Sequence, residues 1–292
     1  ELGKRFREYD KNFMNILGLG NAGCKIAKKL ENYPQYSAFF IDVKNDGRYK
    51  NFFKIEEQST HEDYESNYKS INLQSIIGET TLITAGSGKI TGLLLRLLEQ
   101  LKNHKLTVLY IKPDISTASE DAIQREKIVF GILQQYARSN LLSRLYVVSN
   151  VATEAVLEKV SVVNYWDNIN DVISSTFHML NVFENTEPLL STLTDAKKTS
   201  KIATLGVVSY KNLDEKIFYD LQKPRLKKYF FGISEKTLNE EKDLLQKIRS
   251  YVKDKSEEKC SACFAIYSTN YEQDYVYVAQ YASLIQEQNL DS

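Results

Sequence analysis

The chain has 292 residues, 42% of them hydrophobic, which is enough to bury one or two cores. Its 38 lysines and arginines balance 38 aspartates and glutamates, and the two signs are interspersed, which argues against nucleic acid as the main ligand. The apolar runs are far shorter than the roughly 20 residues that span a bilayer, and the first dozen residues are charged throughout. We therefore expect a globular cytoplasmic protein without a membrane segment or signal peptide.

The first half of the chain alternates short apolar runs with amphipathic stretches, which predicts parallel strands joined by crossover helices. Five runs without charge until their ends predict strands buried on both faces, at residues 14–17, 38–43, 80–85, 107–112 and 145–148. Apolar spacing of three and four predicts helices at residues 22–32, 90–101 and 120–139. The polar stretch 46–68 is predicted to be a flexible surface excursion.

A longer helix and a second α/β unit follow. Apolar residues at helical spacing predict a buried helix over residues 164–184, which ends near Asn185 and ahead of Pro188. Beyond it we predict strands at 201–209, 228–233, 262–268 and 275–282, with a charged helix at 235–253. The expected fold is therefore α/β with two domains. Residues 1–185 form a Rossmann-like parallel sheet domain that includes the central helix, 164–185, and residues 186–292 form a smaller α/β domain.

The cysteines predict neither a disulfide framework nor a metal site. Three cysteines in a chain of this size fit a reducing compartment. Cys260 and Cys263 form a CxxC pair, but no second pair follows, and His61, His104 and His178 are scattered along the chain. A closed four-ligand zinc site cannot be drawn from these residues. We expect Cys263 to open a buried strand and Cys260 to lie in the turn before it.

The sequence GLGNAG lies directly between the first predicted strand and the first predicted helix. Such a turn presents free backbone N–H groups and the positive end of the helix dipole, which suits a phosphate. Its candidate contacts are Gly18, Gly20, Asn21, Ala22 and Gly23, and we expect the glycines to let a phosphate approach closely. The pattern favours nucleotide binding over a merely structural turn, but it does not choose the nucleotide.

A dinucleotide remains one option at this turn. Asp42 follows at the end of the next predicted strand, where a carboxylate would suit a ribose hydroxyl. This keeps a nicotinamide-dependent oxidoreductase open as an alternative, although no catalytic histidine or lysine constellation accompanies it.

A second glycine-rich turn, TAGSGKITG, follows the strand at 80–85 and precedes another helix. Its candidate contacts are Ala85, Gly86, Ser87, Gly88, Lys89, Thr91 and Gly92. Two such turns in one domain favour a nucleoside triphosphate held from two sides over a dinucleotide held from one. The motif is not a Walker motif, because its glycine spacing differs and no Ser or Thr directly follows the lysine. A glycine hinge that only links strand to helix is the alternative.

The order of these motifs resembles the FtsZ family and, more remotely, tubulin. GLGNAGCKIAKKL looks like the family's first nucleotide loop and helix, and TAGSGKITG followed by LTVLYIKPD looks like its glycine-rich loop and the strand ending in Lys-Pro. RLYVVSN is similar to the strand ending in Pro-Asn, and NYWDNINDVI looks like the start of the central helix under the base. The order and spacing hold over roughly residues 13–210.

The resemblance implies a protein that binds GTP or GDP, with or without magnesium, and assembles head to tail with copies of itself. It implies that Trp166 packs on the guanine and that Asn170 and Asp171 bond its edge. It also implies that Asp195 reaches the neighbouring subunit's nucleotide and positions the attacking water. The plain alternatives are a core role for Trp166 and an exposed loop acid at Asp195.

Departures from the family pattern predict an altered activity. The second glycine loop is shortened, and Lys89 and Ile90 stand where small residues are expected, although Lys89 would meet phosphate charge directly. Thr192 stands near the first of the two loop acids, so only Asp195 remains. Slow or lost GTP hydrolysis is therefore expected.

Two further departures concern the ribose and the C-terminus. The ribose-contacting pair aligns approximately with Gln134, Gln135 and Arg138, which leaves Arg138 as the candidate cation. The sequence stops at Ser292 without the long linker and partner-binding peptide of cell-division FtsZ, so we do not expect the housekeeping division protein.

The leading hypothesis is therefore a filament-forming GTP-binding protein from a bacterial or phage-infected cell, with an unidentified cargo or scaffold partner. The alternative is a structural protein that kept the fold and lost the nucleotide.

Overall fold

The computed structural model describes residues 14–116, 118–157 and 162–287, so the charged N-terminal dozen lies outside it. The strands are β1 Met14–Leu19, β2 Tyr36–Asp42, β3 Phe52–Lys54, β4 Thr80–Ala85, β5 Leu106–Lys112, β6 Arg144–Ser149, β7 Leu190–Ser191, β8 Ile202–Val208, β9 Glu215–Ile217, β10 Leu226–Ser234, β11 Ser261–Thr269 and β12 Tyr275–Ala282. The helices are α1 Gly20–Leu30, α2 His61–Ser66, α3 Leu94–Gln100, α4 Glu120–Arg138, α5 Asn150–Glu154, α6 Tyr165–Glu184, α7 Glu235–Glu240 and α8 Leu244–Asp254. Short 3-10 helices occur at Lys89–Leu93 and Val162–Asn164.

The α/β prediction is confirmed, and each predicted strand coincides with an observed one to within two residues at either end. Cys263 lies in β11 and Cys260 just before it, both buried, as expected. The predicted helix 235–253 is instead divided into α7 and α8, because Glu241 between them adopts an extended backbone with ψ 94°. This break lets Leu238 and Leu244 pack against the same apolar cluster.

The stretch 46–68 is more ordered than the sequence indicated. It contains the edge strand β3 and helix α2. Thr60 and Asp63 form a capping box at the start of α2, each side chain bonding the other's backbone N–H. Tyr64 is buried under this helix. A short strand and one capped helical turn were missed because neither extends over enough residues to show a periodic pattern.

The strands form one continuous sheet in the order β3-β2-β1-β4-β5-β6-β8-β12-β10-β11-β7, with β9 paired to β8. The strands from β3 to β6 are parallel throughout, while β12 runs antiparallel to both of its neighbours. The sheet has a parallel half, β1 to β6, and a second half, β7 to β12. The two halves are joined through β6 and β8, which pair at two positions, Leu145 with Ile202 and Tyr146 with Ala203. The domain boundary at residues 185–186 stays a prediction, although the sheet continues across it.

Helix α6 packs on one face of both halves of this sheet. One buried cluster joins Ile16 of β1, Ile173 of α6, Phe230 of β10 and Tyr281 of β12. Helices α3 and α4 cover the opposite face of the parallel half, and α8 covers that of the second half. Burial on both faces explains why the parallel strands carry almost uninterrupted apolar sequence. No helix in the described residues is long and apolar enough to cross a membrane.

Candidate functional site

The two glycine-rich turns lie side by side at one edge of the sheet. Strands β1 and β4 are hydrogen-bonded neighbours in parallel register, with Gly18 opposite Ile83. Because parallel neighbours end at the same edge, the turn after β1 and the turn after β4 flank one space, which we call the groove. The sequence predicted this edge as the site of a phosphate.

The first turn leads straight into α1 and leaves the start of that helix without a side-chain cap. Leu19 is the N-cap residue and has no side chain able to accept a hydrogen bond, and no acidic residue lies in the first helical turn. Gly20 has φ +70°, a backbone conformation that residues other than glycine rarely adopt. The start of α1 therefore has no side-chain cap, and its amides are of the kind that an anion satisfies at other helix N-termini.

Packing within the chain is by itself a reason for glycine at positions 18 and 23. A Cβ on Gly23 would lie 2.2 Å from the carbonyl oxygen of Ile83, and one on Gly18 would lie 2.7 Å from the carbonyl oxygen of Gly23. Both positions therefore need glycine for α1 to pack on β1 and β4. The predicted phosphate contacts of these glycines stay a prediction, and Asn21 and Ala22 are at least partly exposed on the turn.

The second turn is fixed from several sides. A Cβ on Gly86 would lie 1.8 Å from the Tyr110 hydroxyl, and one on Gly92 would lie 1.9 Å from the His61 carbonyl oxygen. Thr91 Oγ1 donates to the Gly88 carbonyl at 2.7 Å, which closes the turn. The contacts of Gly86 and Gly92 and the bond from Thr91 therefore hold the loop in the observed conformation.

The cations near the second turn bond to protein groups. Lys89, which was expected to meet phosphate charge, donates from Nζ to the Ser59 carbonyl at 2.8 Å, on the segment before α2. Arg125 of α4, which sequence reasoning did not select, donates from Nε to the Ser87 carbonyl at 3.1 Å. Arg125 is thus the α4 cation that lies at the loop.

The side chain of Ile90, a residue of the second turn, lies against the first turn. A Cβ on Gly20 would lie 2.9 Å from Ile90 Cγ2, and a Cβ on Gly88 would lie 3.8 Å from the same atom. The side chain is partly buried and packs against the apolar cluster on the α3 and α4 face. One methyl carbon therefore contacts the surface that both turns present to the groove.

A buried ion pair lies behind the Tyr110 side chain on which the second turn packs. Lys112 Nζ lies 2.6 Å from Glu126 Oε1, and the Tyr110 hydroxyl donates to the same carboxylate at 3.1 Å. Glu126 is only 1% exposed, and burial together with this carboxylate raises the pKa of Tyr110 well above its ordinary value. Since Gly86 packs directly on the Tyr110 hydroxyl, the Tyr110 side chain limits how closely the loop approaches the sheet.

Asp42, the acid of the dinucleotide alternative, lies at the end of β2. One carboxylate oxygen accepts from the backbone N–H of Val43 at 2.8 Å, and burial raises the pKa of the Asp42 carboxyl. No cluster of three or more His, Cys, Asp or Glu side chains in the described residues is arranged to hold a metal ion.

The start of α6 carries the residues expected to bind a base. Trp166 is 54% exposed and packs edge to face on Tyr165, with ring centroids 5.0 Å apart, so the alternative of a core role is wrong. Asn170 is buried. Asp171 is exposed, but its carboxylate lies 2.6 Å from Lys29 Nζ on α1. The ion pair places Asp171 against the last turn of α1, nine residues beyond Gly20.

Asp195 lies beyond the C-terminal end of α6, whereas Trp166 is at the start of that helix. It is exposed in the loop after β7, and its neighbour Thr194 contacts Cys263 near the start of β11. The 20-residue helix α6, about 30 Å long, separates this loop from Trp166. Asp195 therefore does not reach the glycine turns within one chain.

Thr192 has a structural role. Its Oγ1 accepts from the Phe264 N–H at 3.0 Å and donates to the Phe264 carbonyl at 3.3 Å. Together with β7 these bonds attach the loop to the edge of the sheet at β11.

Arg138 is not brought to the groove. It lies at the end of α4, thirteen residues beyond Arg125, or about 20 Å along the helix. Gln134 bonds both backbone groups of Gln286, accepting at 2.6 Å and donating at 3.2 Å. The ribose contact expected in this part of α4 stays a prediction, although α4 runs away from the turns between Arg125 and Arg138.

No protein-family model and no curated protein matches this chain. Solved structures do match it. TubZ of Bacillus thuringiensis serovar israelensis, in a GTPγS-form protofilament, aligns with 94% of this chain and 86% of its own at 13% identity and a TM-score of 0.66. An empty FtsZ dimer of M. jannaschii aligns with 96% of this chain and 91% of the FtsZ chain, at 10% identity and a TM-score of 0.68. CetZ2 from Haloferax volcanii, in a GTPγS-bound protofilament, aligns with 92% of both chains at 11% identity and a TM-score of 0.65.

Proposed function

We propose that this chain, which has the tubulin/FtsZ fold, is a divergent member of that superfamily that binds GTP or GDP and assembles head to tail into filaments, with slow or absent hydrolysis. The observation that carries the proposal is the pair of glycine turns at the ends of adjacent strands β1 and β4, in a fold shared over more than nine-tenths of the chain.

The backbone of the first turn fits a phosphate. Helix α1 has 11 residues, an uncapped N-terminus and no acid in its first turn, so its amides and dipole are directed to the groove without a competing carboxylate. Asn21 and Ala22 would contribute backbone N–H groups beside Gly20. The second turn, from Ala85 to Gly92, forms the other wall. Any magnesium would enter with the phosphates, as an ion bound chiefly by their oxygens and water.

The base would lie toward the start of α6. The exposed ring of Trp166 offers an apolar face, and the side chains of Asn170 and Asp171 offer a donor and acceptors for the edge of guanine. Lys29 competes for the Asp171 carboxylate, which predicts weaker selection of guanine than an unpaired acid would give.

The placement of Asp195 supports head-to-tail assembly. The Asp195 loop follows the far end of α6 from Trp166, so a second copy stacked along α6 would bring that loop to the glycine turns of its neighbour. TubZ forms two-stranded and four-stranded filaments, which supports the same mode of assembly here. With Thr192 bonded to Phe264, Asp195 would be the single acid that positions water, and we infer slow turnover or none.

One experiment tests binding and assembly together. A fluorescent GTP analogue is titrated into the purified chain, and light scattering is followed in the same sample with GTP. Gly20→Asp should abolish both signals, because it places a carboxylate and a strained residue at the phosphate. Gly47→Asp is the matched control, since Gly47 also has a positive φ but lies in an open loop. A parent protein that neither binds nor assembles would contradict the proposal.

The second candidate is a structural protein that kept the fold without the nucleotide. It is favoured by Ile90, whose methyl group contacts both glycine turns, and by the pairing of Asp171 with Lys29. Filaments or stable complexes that form equally well with and without GTP would support this alternative.

A further inference from the structure

The groove between the glycine turns already contains a side chain of this chain. The Cγ2 methyl of Ile90 is 2.9 Å from the place of a Cβ on Gly20 and 3.8 Å from that of a Cβ on Gly88. A side chain this close to the Gly20 backbone narrows the space open to a phosphate that approaches the start of α1. An aliphatic methyl there excludes water and anions alike, and it offers no hydrogen bond to the uncapped amides of α1.

The position of Ile90 is determined by the loop rather than by chance rotation of an exposed side chain. Gly86 packs on the Tyr110 hydroxyl, and Gly92 packs under the His61 carbonyl, so the loop is pinned at both ends. Thr91 bonds back to the Gly88 carbonyl, and Arg125 holds Ser87. Between these anchors, Ile90 faces the apolar cluster that includes Leu93 and Leu94.

Lys89 is directed elsewhere by the same turn. Its ammonium bonds the Ser59 carbonyl at 2.8 Å, on the segment that precedes α2. A loop that presented Lys89 to the groove would have to break that bond and turn Ile90 outward. The observed loop therefore places the apolar residue in the groove and the cation outside it.

We propose that Ile90 is a plug of the phosphate groove, so that a nucleoside triphosphate binds only when the loop moves this side chain away from Gly20. The inference rests on the proposed nucleotide site and adds how that site is regulated. The closed state is the nucleotide-free state, and the cost of opening it lowers the apparent affinity by the fraction of molecules that are open. Loop opening, rather than encounter with the ligand, then controls the rate of binding.

The test compares two substitutions at one position. Ile90→Ala removes the Cγ2 methyl that contacts both turns, whereas Ile90→Val keeps a methyl in that place and removes only the Cδ1 carbon. We expect Ile90→Ala to bind a fluorescent GTP analogue at least tenfold more tightly than the parent and Ile90→Val to bind within about twofold of it. Circular dichroism of each protein without nucleotide confirms that it is folded.

The possible outcomes separate the plug from the proposed function. Binding by Ile90→Ala with none by the parent supports the plug and means that the parent is the non-binding scaffold. Equal binding by all three proteins overturns the plug and leaves the nucleotide proposal standing. No binding by any of them overturns both.

A second measurement uses the unaltered protein and remains informative if Ile90→Ala does not fold. With methyl-labelled isoleucine, a nuclear Overhauser effect from the Ile90 Cγ2 methyl to the Gly20 Hα protons is expected without nucleotide. Saturation with GTPγS should abolish it. An Overhauser effect that persists in the bound protein would show that the nucleotide and Ile90 occupy different volumes, which overturns the plug.

Discussion

The ammonium of Lys29 lies 2.6 Å from a carboxylate oxygen of Asp171, and this ion pair joins α1 to α6 between residues 142 positions apart in sequence. Asp171 is the acid expected to bond guanine. We predict that Lys29→Met, which keeps the aliphatic stem, strengthens GTP binding two- to fivefold, an effect of the size of an exposed ion pair at about 0.4–1 kcal/mol.

Competition between GTP and ATP for a fluorescent analogue measures this effect. Lys28→Met is the matched control, because Lys28 pairs with Glu31 at the end of its own helix rather than with Asp171. Weaker binding by Lys29→Met would mean that the lysine itself contacts the nucleotide.

Trp166 is the single tryptophan of the chain and is about half exposed, so its fluorescence reports directly on the proposed base site. We predict that saturating GTP shifts its emission to shorter wavelength and quenches it, since a stacked base replaces water on the ring. Gly20→Asp should show neither change. A constant spectrum in a protein that demonstrably binds GTP would remove Trp166 from the site.

Gly23 is expected to be required for folding and not only for binding. A Cβ there would lie 2.2 Å from the Ile83 carbonyl oxygen, so Gly23→Ala should cost about 1–3 kcal/mol of the free energy of unfolding. Gly131→Ala in α4 meets nothing within 4 Å and should stabilise by about 0.5–1 kcal/mol. Urea denaturation of the two variants measures both values, and a neutral Gly23→Ala would contradict the packing argument.

The buried pair of Lys112 and Glu126 predicts a strong asymmetry between single and double substitutions. Lys112→Met leaves the 1% exposed carboxylate of Glu126 without its cation, which should cost about 3–5 kcal/mol. Adding Glu126→Gln to that variant should recover most of the loss, because the uncompensated charge is gone. Equal midpoints for the single and double variants in urea would show that the charge is not the cause.

His178 should make stability fall in mild acid. Its ring stacks on Tyr33 at a centroid distance of 3.6 Å, and burial lowers its pKa to about 4. The unfolded imidazole titrates near 6.5, so the unfolded state takes up the proton first and stability is lost as pH falls from about 6.5 to 4. The loss of unfolding free energy across that window is on the order of 3 kcal/mol.

His178→Gln should flatten the dependence of unfolding free energy on pH within this window and leave the carboxylate-dependent loss at lower pH. Parallel slopes for the parent and the variant would mean that His178 is protonated in the folded state.

The local pattern of the sequence was sufficient for the secondary structure of the parallel half. Strand β1, the glycine turn and helix α1 follow from an apolar run, a positive-φ glycine and helical spacing, all of which act within a few residues. The same local signals ordered the motifs and identified the family that the chain resembles. These signals failed for α2 and β7, which are too short to show a hydrophobic period. Strand β7 also depends on pairing with the distant strand β11.

What the sequence alone determined is therefore the α/β class, the positions of the two turns and the chemical types of residue that they carry. Only the tertiary structure decided that Gly23 faces Ile83, that Lys29 takes the Asp171 carboxylate, that Arg125 rather than Arg138 lies at the loop, and that Ile90 enters the groove. These contacts join residues far apart in the chain, and their geometry is set by how whole helices pack on the sheet, a property that periodicity and residue type do not encode.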